Sequence, residues 1–210
     1  MIKVENISKS FGQTVAVDNV SFELTHGDSL LIVGPSGSGK TTLLRLIAGL
    51  EIPDGGTVQI DGKIASNDKW AIEPNRRGIG YVFQSPALWP HMTVSQNITF
   101  GINPTGAKKR ASELLDKLGL EGFEDRKPDE ISRGEARRVS IARTLAPCPK
   151  RLLMDEALTN IDAELKERVM GVILEEVSES GASMIFVTHD RDEVDRIMGA
   201  KLELRNGRIG

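Results

Sequence analysis

Residues 34–41 read Gly-Pro-Ser-Gly-Ser-Gly-Lys-Thr, the pattern G-x-x-x-x-G-K-[ST]. An apolar run, Leu30-Leu31-Ile32-Val33, precedes them, and Thr42-Leu43-Leu44-Arg45-Leu46-Ile47-Ala48 follows. That is a strand, a glycine-rich turn and a helix, the context in which this spacing cradles phosphate. The glycines Gly34, Gly37 and Gly39 let the backbone curl until successive N–H groups face one anion, and the new helix aims its positive end at the same point. Pro35, Ser36 and Ser38 fill the turn, Lys40 supplies a point charge for the outer phosphates, and the Thr41 hydroxyl is a ligand for Mg²⁺. An ordinary glycine-rich turn would explain the glycines but not the Lys-Thr that follows. The chain is therefore expected to bind a nucleoside triphosphate.

Composition narrows what it does with one. At 210 residues, 39% hydrophobic and 27% charged, the chain is long enough for a substantial core and has the balance of a globular protein. A net charge of −3 offers no general basic field for nucleic acid. The single cysteine, Cys148, fits a reducing compartment. No apolar run reaches the roughly 20 residues that a membrane-spanning helix needs, and Met1-Ile2-Lys3-Val4-Glu5 does not read as a signal peptide. Work at a membrane would need a partner.

Periodicity organises the rest. Ile2 and Val4, then Val20, Phe22 and Leu24, alternate as short strands with one buried face. Pro53-Asp54-Gly55-Gly56 is a turn, and Val58 and Ile60 alternate up to Asp61-Gly62, a two-residue hairpin signal. Gly80-Tyr81-Val82-Phe83 reads as another strand. Between 85 and 150 strands give way to helices: Ala111, Leu114, Leu115 and Leu118 recur at helical spacing, with Gly119 as C-cap, and a second helix from Ser132 carries Val139, Ile141, Ala142 and Leu145. Arg151-Leu152-Leu153-Met154-Asp155 is a buried strand. A helix with Leu165, Val169, Val172 and Ile173 follows, then the strand Ser183–Val187, a helix with Val194, Ile197 and Met198, and a hairpin turning at Asn206-Gly207. Strands alternating with helices predict an α/β fold with a mainly parallel sheet, an N-terminal antiparallel β subdomain and an inserted helical subdomain. The boundaries predicted are 1–84 and 151–210 for the core and 85–150 for the insert. Ligands of such sheets lie beyond the carboxyl ends of the strands. The turn at 34–41, Asp155-Glu156 and His189 all fall at such ends.

Asp155 and Glu156 suit, respectively, a Mg²⁺ ligand acting through water and a group that deprotonates an attacking water; a solvated strand end would look alike. His189 could contact a terminal phosphate or simply open a helix capped by Thr188 or Asp190. Gln84 could reach the metal or be a plain polar terminus. His26 and His91 read as surface residues. Ser132-Arg133-Gly134-Glu135 has the spacing of a capping box, and equally of a second phosphate-binding helix start serving another subunit's nucleotide. Arg133 opposes the helix dipole there, a cost an anion would relieve.

Taken together and in order, these segments resemble the ATP-binding subunit of an ABC transporter across essentially the whole chain. The resemblance implies that Phe11 stacks on adenine, that Gly34–Thr42 (Thr42 included) is Walker A, that Gln84 is the Q-loop glutamine and a metal contact, and that Ser132–Glu135 is the signature. It implies that Leu152–Glu156 is Walker B with Glu156 the catalytic base, that Asp162 belongs to the D-loop, and that His189 is the switch histidine holding the γ-phosphate. It further implies ATP and Mg²⁺ as ligands, a second copy or homologue paired head to tail, transmembrane permease subunits contacted by residues 85–94, and, for uptake, a solute-binding protein. The place of work would be peripheral, on the cytoplasmic face of the membrane. Residues 85–94 and 49–56 resemble the importer branch for ions, polyamines or sugars. Departures are plain: Ile131, Arg133 and Glu135 stand where the signature Leu-Ser-Gly-Gly-Gln has Leu, Gly and Gln, Ala157 stands for a proline, and Asn160-Ile161 for Ala-Leu. No C-terminal regulatory domain is expected after the last hairpin.

Overall fold

The structure is a computed structural model and describes residues 1–190 and 192–210, with Arg191 falling inside a short helix. The chain divides into two compact units.

The first unit comprises Met1–Tyr81, Lys150–Glu156 and Gly181–Gly210. Its antiparallel sheet has the order β2-β1-β4-β5, with β1 Ile2–Phe11, β2 Thr14–Leu24, β4 Gly55–Ile60 and β5 Lys63–Ser66. Ile2, Val4 and Ile7 of β1 and Val17, Val20 and Leu24 of β2 are buried. The β4–β5 connection is the two-residue turn read from Asp61-Gly62: both have positive φ, 51° and 75°, and Ile60 pairs with Lys63.

The second sheet runs β10-β9-β3-β8-β7-β6. Its members are β3 Ser29–Val33, β6 Ile79–Val82, β7 Arg151–Asp155, β8 Ser183–Thr188, β9 Ala200–Arg205 and β10 Arg208–Ile209. β3 pairs in parallel with β8 and β9, and β7 with β8. Every residue of β7 and β8 is buried, which explains why both read as unbroken apolar runs rather than alternating ones. The helix α1, Lys40–Ala48, buries Leu43, Leu44, Leu46 and Ile47 in the same core as Ile32, Leu153 and Ile185. Its last turn is held by Arg77, which donates to Ile47 O at 2.8 Å, Ala65 O at 2.9 Å and Ile72 O at 2.9 Å.

Two edges differ from the sequence reading. β6 stops at Val82, so Phe83 and Gln84 lie past the strand. The helix expected to carry Val194, Ile197 and Met198 is α6, Arg191–Arg196: Ile197 is already extended and Met198 is 92% exposed. The reason lies three residues on. Gly199 presses against the Ser29 main chain, where an added Cβ would fall 2.2 Å from Ser29 O, so the chain must leave the helix to enter β9. The Asn206-Gly207 hairpin forms as read, with φ of 50° and 80°.

The second unit comprises Val82–Pro149 and Ala157–Ser180. It is helical: α2 Val94–Thr99, α3 Ala107–Lys117, α4 Arg133–Leu145 and α5 Ala163–Ser180. α4 packs against α2, α3 and α5. Val139, Ile141, Ala142 and Leu145 are buried, as the spacing from Ser132 demands. Gly119 sits one residue beyond the C-cap Leu118, with a φ of 66° that suits glycine. The unit takes in α5, which the sequence reading assigned to the 151–210 core. Among the described residues, no helix is long and apolar enough to cross a membrane.

Candidate functional site

The site in the first unit is built by strand register. Val33 of β3 pairs with Thr188 of β8, and Asp155 of β7 pairs with Val187. Gly34 and His189 each follow that first pair by one residue, while Glu156 comes level with Thr188. Three segments far apart in sequence therefore end in one row, because parallel pairing aligns the carboxyl ends of neighbouring strands.

The turn after β3 is shaped for an anion. Gly39 is the N-cap of α1 in a left-handed conformation, and with no side chain it leaves the first N–H groups of α1 uncapped by any side chain. Its φ is 102°, and a Cβ there would lie 2.1 Å from Ala16 O of β2. Glycine is thus required twice, for backbone conformation and for space. Ser38 N donates to Pro35 O at 3.2 Å and Gly207 N to Ser38 O at 3.0 Å, so the β9–β10 hairpin braces the turn. Ser36 and Gly37 face outward, whereas the Ser38 hydroxyl is buried with no hydrogen-bond partner among the described residues. A buried orphan hydroxyl within a phosphate-shaped turn fits a group that brings its own acceptors. Thr42 lies half-buried one residue past Thr41.

Lys40 is 5% exposed and donates to Gly34 O at 2.8 Å and Pro35 O at 2.9 Å. Burial lowers its pKa, and the nearby carboxylates of Glu156 and Asp155 oppose that shift. Thr41 Oγ1 donates to Asp155 Oδ1 at 3.0 Å, and Tyr81 Oη donates to Asp155 Oδ2 at 3.2 Å. Burial raises the Asp155 pKa; the two hydroxyls pull it back. Tyr81 is itself shifted up by burial and by the Asp155 charge. Hydroxyl and carboxylate oxygens form a hard donor set that suits Mg²⁺, which takes one or two carboxylates and completes its shell with water and phosphate. Among the described residues no cluster of His, Cys, Asp and Glu could cage a metal without such help.

Glu156 holds a left-handed φ of 47°, uncommon for a non-glycine residue, and its N–H donates to Val187 O at 3.0 Å. The parallel ladder thus fixes its main chain one step past β7. Its Oε1 lies 3.3 Å from His189 Nδ1, with His189 60% exposed and Glu156 14%. A carboxylate and an imidazole in contact at a strand end can share, accept and orient a proton. Phe11 ends β1 opposite Thr14 and is 49% exposed. Ala16, two residues along β2, is the residue against Gly39, so the open ring lies about two strand steps from the turn. Lys9 Nζ sits 5.6 Å from that ring and is anchored to Asp54 at 2.9 Å. His26 and His91 are exposed, as read.

The remaining sequence-predicted residues belong to the second unit. Gln84 is exposed. Ser132 caps α4: its Oγ accepts from Glu135 N at 3.3 Å, and Glu135 Oε2 accepts from Ser132 N at 2.6 Å. The capping reading is therefore correct in full, and these bonds lower the Glu135 pKa. Arg133, the first helical residue, is exposed. Gly134 approaches the chain after Glu156 so closely that a Cβ would lie 3.1 Å from Asn160 O. Asp162 Oδ1 accepts from Leu165 N at 3.0 Å, capping α5.

Sequence reasoning missed Tyr81 and Arg137. Tyr81 is the chain's only tyrosine, in an otherwise apolar strand, and that was the available signal. Arg137 and Arg138 stand directly before the buried run Val139–Ala142, so two charges enter a core face.

Residues 17–159 match the family described as ABC transporter. The spermidine/putrescine import ATP-binding protein PotA of Nitrosospira multiformis is 43% identical over 198 residues, 92% of this chain and 53% of its own length. The probable sulfate/thiosulfate import ATP-binding protein CysA of Chlorella vulgaris is 42% identical over 99% of this chain and 89% of its own. The Fe(3+) ions import ATP-binding protein FbpC of Pasteurella multocida is 40% identical, over 98% and 59%. The chain thus spans little more than half the length of two of these three relatives. Among solved structures, a dimeric bacterial ABC transporter cassette superposes with a TM-score of 0.90 at 31% identity, covering all of this chain and 96% of that one. A dimeric cassette in a post-hydrolysis state bound to ADP and Pi gives 0.88 at 31% identity, with the same coverage.

Proposed function

The chain belongs to the ABC transporter family, and we propose that it binds and hydrolyses ATP to drive solute uptake through partner permease subunits in the membrane. One observation carries this reading: Thr41 of the phosphate turn donates to Asp155 at the end of β7, beside the Glu156–His189 pair. A triphosphate site, a metal-ligand pair and a proton acceptor meet at adjacent strand ends.

In this reading the first N–H groups of α1 bind the phosphates, and Lys40 turns from Gly34 O and Pro35 O to the outer ones. Phe11 offers its open face to the adenine. Thr41 and Asp155 would hold Mg²⁺, while Tyr81 keeps the second Asp155 oxygen in place. The loop after Gln84 would meet the permease. A bound Mg²⁺ would supply positive charge against the negative charge developing on the phosphates. Glu156 takes a proton from the attacking water as its oxygen bonds to the γ-phosphorus and the bond to the ADP oxygen breaks. His189 orients Glu156 and the water. Ser132, Arg133, Gly134 and Glu135, with Asp162, would face the γ-phosphate of a second ATP-binding subunit paired head to tail. The place of action is the membrane's cytoplasmic face, held there by the permease.

The relatives import a polyamine, an oxyanion or ferric ion at nearly equal identity, so their names do not select a solute. A second reading, a nucleotide-gated module with little turnover, is favoured by the altered signature, with Ile131, Arg133 and Glu135 in place of Leu, Gly and Gln. Glu156→Gln distinguishes the two. Steady-state phosphate release should fall about 10²–10⁴-fold, the usual worth of a general base, while ATP binding is kept and an ATP-dependent dimer accumulates on size exclusion. Wild type that dimerises with ATP yet releases no phosphate, alone or with permease, would support the gated module instead.

A further inference from the structure

Arg137 and Arg143 lie six residues apart on α4, and both reach the segment after β6. Arg137 is 3% exposed, unusual burial for a guanidinium. Its Nη1 donates to Phe83 O, and its Nη2 donates to Gln84 O and, at 3.1 Å, to Thr159 Oγ1. Arg143 donates to Pro86 O and Ala87 O, both at 2.8 Å, and lies 5.0 Å from the Trp89 ring centroid. The carbonyls of residues 83, 84, 86 and 87 are therefore all taken by two side chains of one helix. Ala87 keeps a left-handed φ of 44° under this hold. The loop is strapped to α4 rather than hanging free.

The third arm of Arg137 gives the strap a consequence. A guanidinium presents its donors in one rigid plane, so partners on it cannot shift independently as they could around an ammonium. One plane here serves the main chain at Gln84 and the side chain of Thr159, three residues past Glu156 and three before Asp162. We propose that Arg137 is a positioning residue that makes the Gln84 loop, α4 and the Thr159 segment one mechanical piece, so that displacement of the loop reaches the chain following Glu156. The effect on turnover rests on the ATPase reading; the mechanical linkage does not.

The test begins with amide hydrogen exchange on the full chain, without nucleotide, in wild type, Arg137→Lys and Thr159→Val. For Arg137→Lys, peptides covering 83–90 and 157–162 should both exchange about tenfold faster, while α1 keeps its wild-type rate. ATP turnover should fall about tenfold with KM for ATP unchanged, and adding Thr159→Val to Arg137→Lys should cost nothing further, since both remove the same link. Loosening of 83–90 alone, or losses that add, would mean that Arg137 merely pins the loop, and the proposal fails. Should Arg137→Lys not fold, Thr159→Val carries the test from the other end: wild-type exchange at both segments overturns the linkage. If the segments loosen as expected but wild type shows no turnover, the ATPase reading falls and the positioning role stands.

Discussion

Gly39 shows how a single residue can be fixed by two independent demands. Its backbone is left-handed at a φ of 102°, and the space its Cβ would need is filled by the Ala16 carbonyl at 2.1 Å. Gly39→Ala should therefore cost about 1–3 kcal/mol from backbone strain alone, and more if β2 must retreat. Thermal unfolding should show the loss, and ATP binding should fall with it, because the same conformation aims the first N–H groups of α1. An unchanged Tm would mean that the turn relaxes without strain. Glu156 presents the opposite case: a non-glycine held left-handed at 47° by the ladder bond to Val187 O. Its place beside His189 follows from that forced conformation rather than from any local preference of glutamate. The residue types of both positions were legible in sequence; the strain at Glu156 was not, because it arises from pairing with a strand 30 residues away.

At the scale of elements, α3 and α5 are joined by two cations around a buried carboxylate. Glu176 of α5 is 7% exposed and is bound by Arg110 and Lys117 of α3, the latter at 3.0 Å. Burial by itself would raise the Glu176 pKa, but the two cations outweigh it and the net shift is downward. A lowered carboxylate contributes stability that is present above its unfolded pKa and lost as pH falls through the folded one. Glu176→Gln should destabilise the chain by about 1–3 kcal/mol at pH 7, since it removes the charge that Arg110 and Lys117, themselves partly exposed, hydrogen-bond. The deficit should shrink as pH falls below the ordinary glutamate value and through the lower one of the folded state, where wild type also loses the charge. Urea midpoints at neutral and at acid pH check this, and an equal deficit at both would exclude linkage through Glu176. The helices themselves were plain in the 3.6-residue spacing of Leu114, Leu115, Val169 and Ile173. Their ends were set elsewhere, as with α6, which stops where Gly199 must press on Ser29.

At the scale of the whole molecule, Arg133 tests whether one copy completes another's site. It is exposed at the first position of α4, where a cation opposes the helix dipole. In a head-to-tail pair it would meet a γ-phosphate, and its charge would replace the close backbone approach that a glycine allows. Arg133→Ala should then weaken ATP-dependent dimerisation several-fold and flatten its salt dependence, because a contact between a cation and an anion is lost. Dimerisation and turnover equal to wild type would remove Arg133 from the site. The sequence by itself determined the chemistry: the order and spacing of the phosphate turn, Asp155-Glu156 and His189, and the alternation of strands and helices, are local patterns that any window of the chain displays. Tertiary structure alone decided the register that sets Gly34, Glu156 and His189 in one row, the Tyr81 hydroxyl on Asp155, the grouping of α5 with the helices of residues 82–149, and the reach of Arg137 to Gln84 and Thr159. These rest on pairings between residues tens of positions apart, whose energies depend on the packed neighbours together and leave no period or motif in the chain.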